Sequence, residues 1–273
     1  MQARHATLEL ERTQDWLTVW LNRPGSRNAL DTAMTAELRA VFDEVAADAA
    51  IRGVTLRGRG GVFCAGGDLR AFRAMAVDDA ASLDTAIAHN LEAGQLFERI
   101  NTLPQVVVVL VEGAAMAGGL GMACCADLVA VTRQAQFALT ETTLGIPPAQ
   151  IAPIVAGRLG LATARRLMLT AARFTGDEAR TVGLADFVAA DVAELERIET
   201  DLRTQVRRCA PGANAATKAI LLASRTLQGD GLRQFAAESF ARALRGPEGR
   251  EGLQAFLDKR PPCWAAAPEG AQP

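Results

Sequence analysis

Two glycine-rich runs and one glutamate are the parts of this chain whose residue types could do chemistry. Gly58-Arg-Gly-Gly-Val-Phe-Cys-Ala-Gly-Gly-Asp-Leu69 follows the β-rich run Val54–Gly58, and Ala117-Gly-Gly-Leu-Gly121 follows the apolar run Val106–Val111. Glycine reaches positive φ and lets backbone approach where a side chain would block it. Two such turns can therefore aim backbone N–H groups into one cleft, and helices that start there add unpaired N–H groups and the positive ends of their dipoles. That arrangement suits an oxyanion, where each donor is worth roughly 2.7–4 kcal/mol on removal. The same runs read equally well as tight turns alone. A phosphate cradle fits less well, because GxxxxGK[ST] is absent and neither run opens a dinucleotide-binding unit with GxGxxG spacing. Glu141 follows a strand signal and is flanked by Leu139, Leu144 and Ile146. Partial desolvation there raises a carboxylate pKa towards that of a useful general acid or base. Its neighbours Thr140, Thr142 and Thr143 leave open a second reading, as a capping or surface glutamate.

The elements that must position these groups alternate β-rich runs with helical spacing, which predicts an α/β architecture. Leu17–Leu21 reads as a strand, and Arg23-Pro-Gly-Ser26 as a turn. Leu30, Met34, Leu38, Val41, Phe42 and Val45 recur at helical spacing behind a cap at Asn28 or Asp31. Helical sequence around His89–Ile100 ends near Pro104, Val106–Val111 reads as a fully buried strand, and Asp127–Thr132 as another. Strand, glycine turn and helix thus occur twice, which predicts stacked strand-strand-helix units. Beyond residue 190 the β signal ends, and four helical segments over 195–206, 213–227, 232–244 and 249–256 follow. The predicted division is an α/β spiral core over residues 1–190 and a helical subdomain over 191–273, with an Ala/Pro/Gly-rich, frayed tail.

Composition excludes several classes. The 49% hydrophobic and 22% charged content belongs to a folding globular chain, and a net charge of −2 implies no basic surface for nucleic acid. Five irregularly spaced cysteines and two histidines, His5 and His89, lack metal-ligand spacing. The cysteines read as reduced, small buried side chains of a cytoplasmic protein, with no secretory leader. Val106–Val131, the most apolar stretch, is broken by Glu112, Asp127 and glycines, so no membrane span is expected.

Asn22–Leu30, Phe63-Cys-Ala-Gly-Gly-Asp-Leu69, Glu112–Gly121, Ala126-Asp-Leu128, Phe137-Ala-Leu-Thr-Glu141, Leu144-Gly145, Gly183-Leu-Ala-Asp186 and Glu251–Arg260 together resemble, in order and spacing, the enoyl-CoA hydratase/isomerase (crotonase) family. The resemblance covers roughly residues 17 to 264. It implies a crotonase-like spiral of ββα repeats, a C-terminal helical subdomain that packs trimers or dimers of trimers, and an acyl-CoA substrate. It also implies no cofactor beyond the CoA of that substrate. Gly67 and Gly118 fall on the family's oxyanion positions, and Glu141 on its second glutamate. Ser26, Arg27, Ala29 and Ala65, with Asp68, Leu69 and Arg70, fall on segments bordering the CoA groove; Arg27 reads as a phosphate contact or as a solvated turn arginine. Phe256 and Lys259 match a terminal pair that reaches the CoA of a neighbouring subunit. The family's first glutamate falls on Gly121, a departure from the two-carboxylate scheme. Phe137–Pro153, with its Pro-Pro-Ala-Gln-Ile-Ala-Pro run, resembles the branch that hydrates 3-substituted glutaconyl-CoA esters, most of all isohexenylglutaconyl-CoA hydratase, then methylglutaconyl-CoA hydratase. The substrate's second carboxylate is then expected to be held by an arginine or by backbone donors. An isomerase, or a non-catalytic acyl-CoA-binding protein on the same scaffold, are the rival expectations.

Overall fold

The computed structural model describes residues 5–77 and 82–265. Among these residues nine strands, β1 (Leu8–Thr13), β2 (Trp16–Leu21), β3 (Gly53–Gly58), β4 (Val106–Val111), β5 (Ala114–Met116), β6 (Leu128–Thr132), β7 (Gln136–Ala138), β8 (Phe174–Thr175) and β9 (Phe187–Ala189), form two sheets. The larger has the order β1-β2-β3-β4-β6-β9, parallel except for the β1–β2 pair, and the smaller the order β5-β7-β8. Helices α1 (Thr32–Ala47), α2 (Leu69–Val77), α3 (Leu83–Thr102), α4 (Gly118–Cys125), α5 (Ala152–Leu159), α6 (Leu161–Thr170) and α7 (Gly176–Ala179) alternate with the strands. Helices α8 (Val192–Arg207), α9 (Pro211–Ala223), α10 (Gly229–Arg245) and α11 (Pro247–Leu257) follow them.

Strand β4 shows why its sequence lacks alternation. Val107, Val109 and Val111 join the main core, with Met34, Leu38 and Phe42 of α1 and Leu96, Phe97 and Ile100 of α3. Val108 and Leu110 enter a second core with Trp16, Leu195, Leu202 and Val206, so α8 covers the sheet's other face. A parallel sheet covered on both faces is apolar at every position. The α8 layer is also pinned by polar groups: Trp16 Nε1 donates to Thr55 Oγ1 at 2.8 Å, and that hydroxyl donates to Glu199 Oε1 at 2.5 Å.

Of the two caps offered for α1, Asp31 serves, its Oδ1 accepting the Met34 N–H at 2.8 Å. Asn28 is buried and ties the turn before α1 to the first glycine run, its Nδ2 donating to Arg59 O (2.9 Å) and Val62 O (2.7 Å). Strand β1, helices α5 and α6, and the short strands β5, β8 and β9 lie outside the runs legible in sequence, whereas β7 is the strand expected before Glu141. The cysteine expectation holds for Cys64, Cys124 and Cys125, whose burial pushes the first two thiols up to about 12 and the third well above the ordinary value. Cys209 and Cys263 correct it, being exposed. Among the described residues no helix is long and apolar enough to cross a membrane. The tail beyond residue 265 lies outside the described residues.

Candidate active site

The two glycine runs meet. Cys64 bridges to Ala115 of β5, and the Cys64 carbonyl accepts the Met116 N–H at 2.9 Å. Gly66 has φ +96°, and a methyl group there would stand 2.8 Å from Ala117 Cβ and 3.6 Å from the Gly118 nitrogen. Only glycine allows that approach at that φ. Gly67 bridges in parallel to Leu30, and the bonds of that bridge use its neighbours: Gly66 O accepts the Leu30 N–H (2.8 Å), and the Asp68 N–H donates to Leu30 O (2.9 Å). The Gly67 N–H therefore faces away from Leu30. Ala117 holds φ 49°, ψ −120° just ahead of α4, with its N–H bonded to Ala138 O at 2.8 Å. Gly118 is then the first helical residue, whose N–H has no partner within the helix. Both glycines line a cleft of about 180 Å³, and among the described residues neither N–H is engaged in a hydrogen bond.

Glu141 lines the same cleft as the first residue of a single 3-10 turn, Glu141–Leu144. Gly145 ends that turn at φ 76° and donates its N–H to the carbonyls of Glu141 and Thr142. The carboxylate is half-buried, and its Oε2 has no hydrogen-bond partner among the described residues. Burial raises its pKa above the ordinary glutamate value, only partly offset by a hydrogen bond from its own backbone. A carboxylate that gives up solvent without gaining a partner is poised to take or give a proton. The capping alternative is not what the chain adopts, since no side chain caps this turn.

Gly121 does not line this cleft; it is buried beneath Ile151. A Cβ on Gly121 would lie 2.4 Å from Ile151 Cγ2 and 3.0 Å from Ile151 Cβ. The space beside Gly121, the residue that the resemblance pairs with the first glutamate, is thus filled by the side chain of Ile151. Of the residues singled out in sequence, Ala65, Gly67, Leu69, Gly118 and Glu141 line the cleft together. Ser26 and Ala29 stand beside it in the turn before α1, and Arg27 is linked to it through its carbonyl, which accepts the Ala65 N–H at 3.0 Å. The exposed Arg27 side chain has no ion pair among the described residues. Asp68 immediately precedes α2, its Oδ1 accepting the Arg70 N–H at 2.9 Å, with Arg70 exposed. Phe256 (82% exposed) and Lys259, at the end of α11, do not line the cleft.

Sequence missed other lining residues, among them Phe72, His89, Asn90 and Phe97 from α2 and α3, and it marked Pro147–Ile151 through the resemblance but not as a wall of the cleft. Helical spacing in α3 could have pointed Phe97 inward, but nothing local marks Asn90. No arginine or lysine lines the cleft among the described residues, so of the two holders expected for a second substrate carboxylate, an arginine or backbone donors, the arginine is not part of its lining. The Asp127 and Asp186 blocks of the resemblance anchor strands: Asp127 Oδ2 accepts the Val107 N–H and Asp186 Oδ2 the Val129 N–H, both at 2.7 Å.

A sequence profile described as enoyl-CoA hydratase/isomerase matches residues 11–267. The 2,3-dehydroadipyl-CoA hydratase of Escherichia coli strain K12 is 31% identical over 258 residues, 93% of this chain and 97% of that protein. Among solved structures, Pseudomonas aeruginosa AtuE is similar at a TM-score of 0.91 and 49% identity, over 95% of this chain and 100% of that one. An enoyl-CoA hydratase/isomerase from Marinobacter aquaeolei is similar at 0.91 and 43% identity, over 95% and 99%.

Proposed function

The chain belongs to the enoyl-CoA hydratase/isomerase family and is an enzyme of the hydratase type, a carbon–oxygen lyase, and from that premise we propose that it hydrates a 3-branched glutaconyl-CoA ester such as isohexenylglutaconyl-CoA. The observation that carries the reading is the half-buried Glu141 carboxylate, without a partner for Oε2, in one cleft with two unengaged backbone N–H groups. The N–H groups of Gly67 and Gly118 hold the thioester oxygen, which gains charge as the enolate forms, so they bind the transition state more strongly than the substrate. Water adds its hydroxyl at C3. Its proton passes to the Glu141 carboxylate and from there to C2, which returns Glu141 to its starting state. With Gly121 covered, a single carboxylate serves both transfers.

A relative named for 2,3-dehydroadipyl-CoA, whose acyl group is dicarboxylic, supports a substrate with a distal carboxylate. Arg27 and Arg70, both exposed near the cleft, suit the CoA phosphates, and CoA enters only as part of the substrate. The exposed Phe240, Leu244, Leu253, Phe256 and Leu257 of α10 and α11 support packing of a trimer or a dimer of trimers, which would bring Phe256 and Lys259 to a neighbour's CoA. We place the enzyme in the cytoplasm.

The test is incubation with a panel of enoyl-CoAs and mass spectrometry of the products. Hydration of 3-methylglutaconyl-CoA at a kcat/KM at least about tenfold above that of crotonyl-CoA is expected. Crotonyl-CoA as the better substrate removes the glutaconyl assignment. Conversion of a 3-enoyl-CoA to its 2-enoyl isomer with no gain of water replaces the hydratase by an isomerase.

A further inference from the structure

The stretch between Gly145 and α5 forms one wall of the cleft without belonging to a sheet. Its backbone bonds are short-range: Ile146 N–H to Glu141 O (3.2 Å), Ala149 N–H to Pro147 O (2.8 Å) and Ala152 N–H to Pro148 O (2.9 Å). Two side chains tie it to distant parts of the fold. Ile151 sits on Gly121, and Gln150 reaches α3, sixty residues away, where its Nε2 donates to Asn90 Oδ1 at 2.7 Å. Gln150 also lies flat on that helix, its Oε1 only 2.3 Å from where a Cβ of Gly94 would be. Glycine inside a helix costs roughly 0.5–1 kcal/mol against alanine, and here the space it leaves holds an amide.

Both amides line the cleft, and both keep donors to spare. Asn90 Oδ1 is engaged by Gln150, and Gln150 Oε1 is packed against the helix backbone. Among the described residues one N–H of Gln150 and both N–H groups of Asn90 have no partner, three donors from two side chains. Three spare N–H groups in one part of the cleft can bind an ionised carboxylate, the acceptor-only group an acyl chain can carry.

We propose that the Asn90–Gln150 pair is the specificity determinant at the acyl end of the cleft, its spare amide N–H groups binding a carboxylate carried beyond C3 of the acyl chain. The proposal rests on the acyl-CoA reading of the site and supplies the donors that the absent arginine does not. Neutral amides do this without burying a cation, at the level of charge-assisted hydrogen bonds.

The experiment is calorimetric binding of glutaryl-CoA and butyryl-CoA, saturated thioesters that differ by the carboxyl group and cannot be hydrated, so the result does not depend on the reaction catalysed. Wild-type protein is expected to bind glutaryl-CoA about tenfold more tightly or better. Gln150→Glu keeps shape and the seat on Gly94 but sets a negative charge before the ligand; it should weaken glutaryl-CoA at least about tenfold and butyryl-CoA less than about twofold. Asn90→Ala, which leaves Gln150 seated, should shift the ratio in the same direction. Equal wild-type affinities, or variants that weaken both thioesters alike, overturn the proposal and leave Gln150 a latch for the wall. The hydratase reading fails separately, in the product panel.

Discussion

The two walls of the cleft differ in what holds them. The wall carrying Gly67 and Gly118 is tied through bridges to Leu30 and Ala115, through Ala117 to β7, and by Asn28 to Arg59 and Val62 in the first part of the first glycine run. The wall running from Glu141 to Ile151 is one 3-10 turn and a Pro-Pro stretch, pinned by Gln150, Ile151 and a bond from Thr142 Oγ1 to Met168 O at 3.0 Å. Groups that meet developing charge need fixed geometry, because preorganised donors cost no rearrangement during reaction. Groups that read the acyl chain sit on a segment whose residues can change without disturbing a sheet. Glu141 stands at the junction, on the loosely built wall and at the start of its 3-10 turn.

The largest break is expected at that junction. Glu141→Gln keeps the shape and removes proton transfer, and kcat should fall by about 10²–10⁴-fold; a variant with wild-type kcat would leave the glutamate without a catalytic role. In wild-type enzyme, kcat/KM should fall as pH drops through the raised Glu141 pKa, so the acid limb lies above the ordinary glutamate value. Next comes the rigid wall. Gly118→Pro deletes one donor where proline is tolerated, at the first helical position, and should lower kcat by about 10²-fold or more with KM less affected. Circular dichroism establishes that the variant is folded, and an unchanged kcat would take Gly118 out of the oxyanion site.

A smaller effect probes the contact between the walls' supports. Gly121→Ala overpacks Ile151 and should cost about 1–3 kcal/mol in denaturant unfolding, a cost largely relieved in an Ile151→Ala background; additive costs would mean that the two residues are not coupled. The smallest expected effect is on stability against pH. A carboxyl whose folded pKa is raised favours the folded state most at low pH, and that contribution is lost as pH rises from the ordinary value through the raised one. Glu141→Gln should therefore gain in Tm relative to wild type across that window and lose the advantage below it. A difference in Tm that does not vary with pH would show that the carboxylate is not desolvated.

Much of this was written locally. The run Val106–Val111 matches β4 residue for residue, the spacing from Met34 to Val45 predicts the buried face of α1, and the glycines at 66–67 and 118–119 mark where backbone must turn and approach closely. Glu141 was legible too, through its apolar neighbours. Such features are settled by φ preference, periodicity and capping within a few residues. Strand β1 escaped because its charged Glu9, Glu11 and Arg12 mask an edge strand, and α8 appeared as a separate helix because nothing in its spacing says that it covers a sheet 80 residues earlier. That Ile151 fills the space beside Gly121, and that Gln150 lies on Gly94 and bonds Asn90, was decided only by tertiary structure. Those pairs are thirty and sixty residues apart or nearly so, and close approach between distant segments depends on how the helices stack, which no local preference encodes.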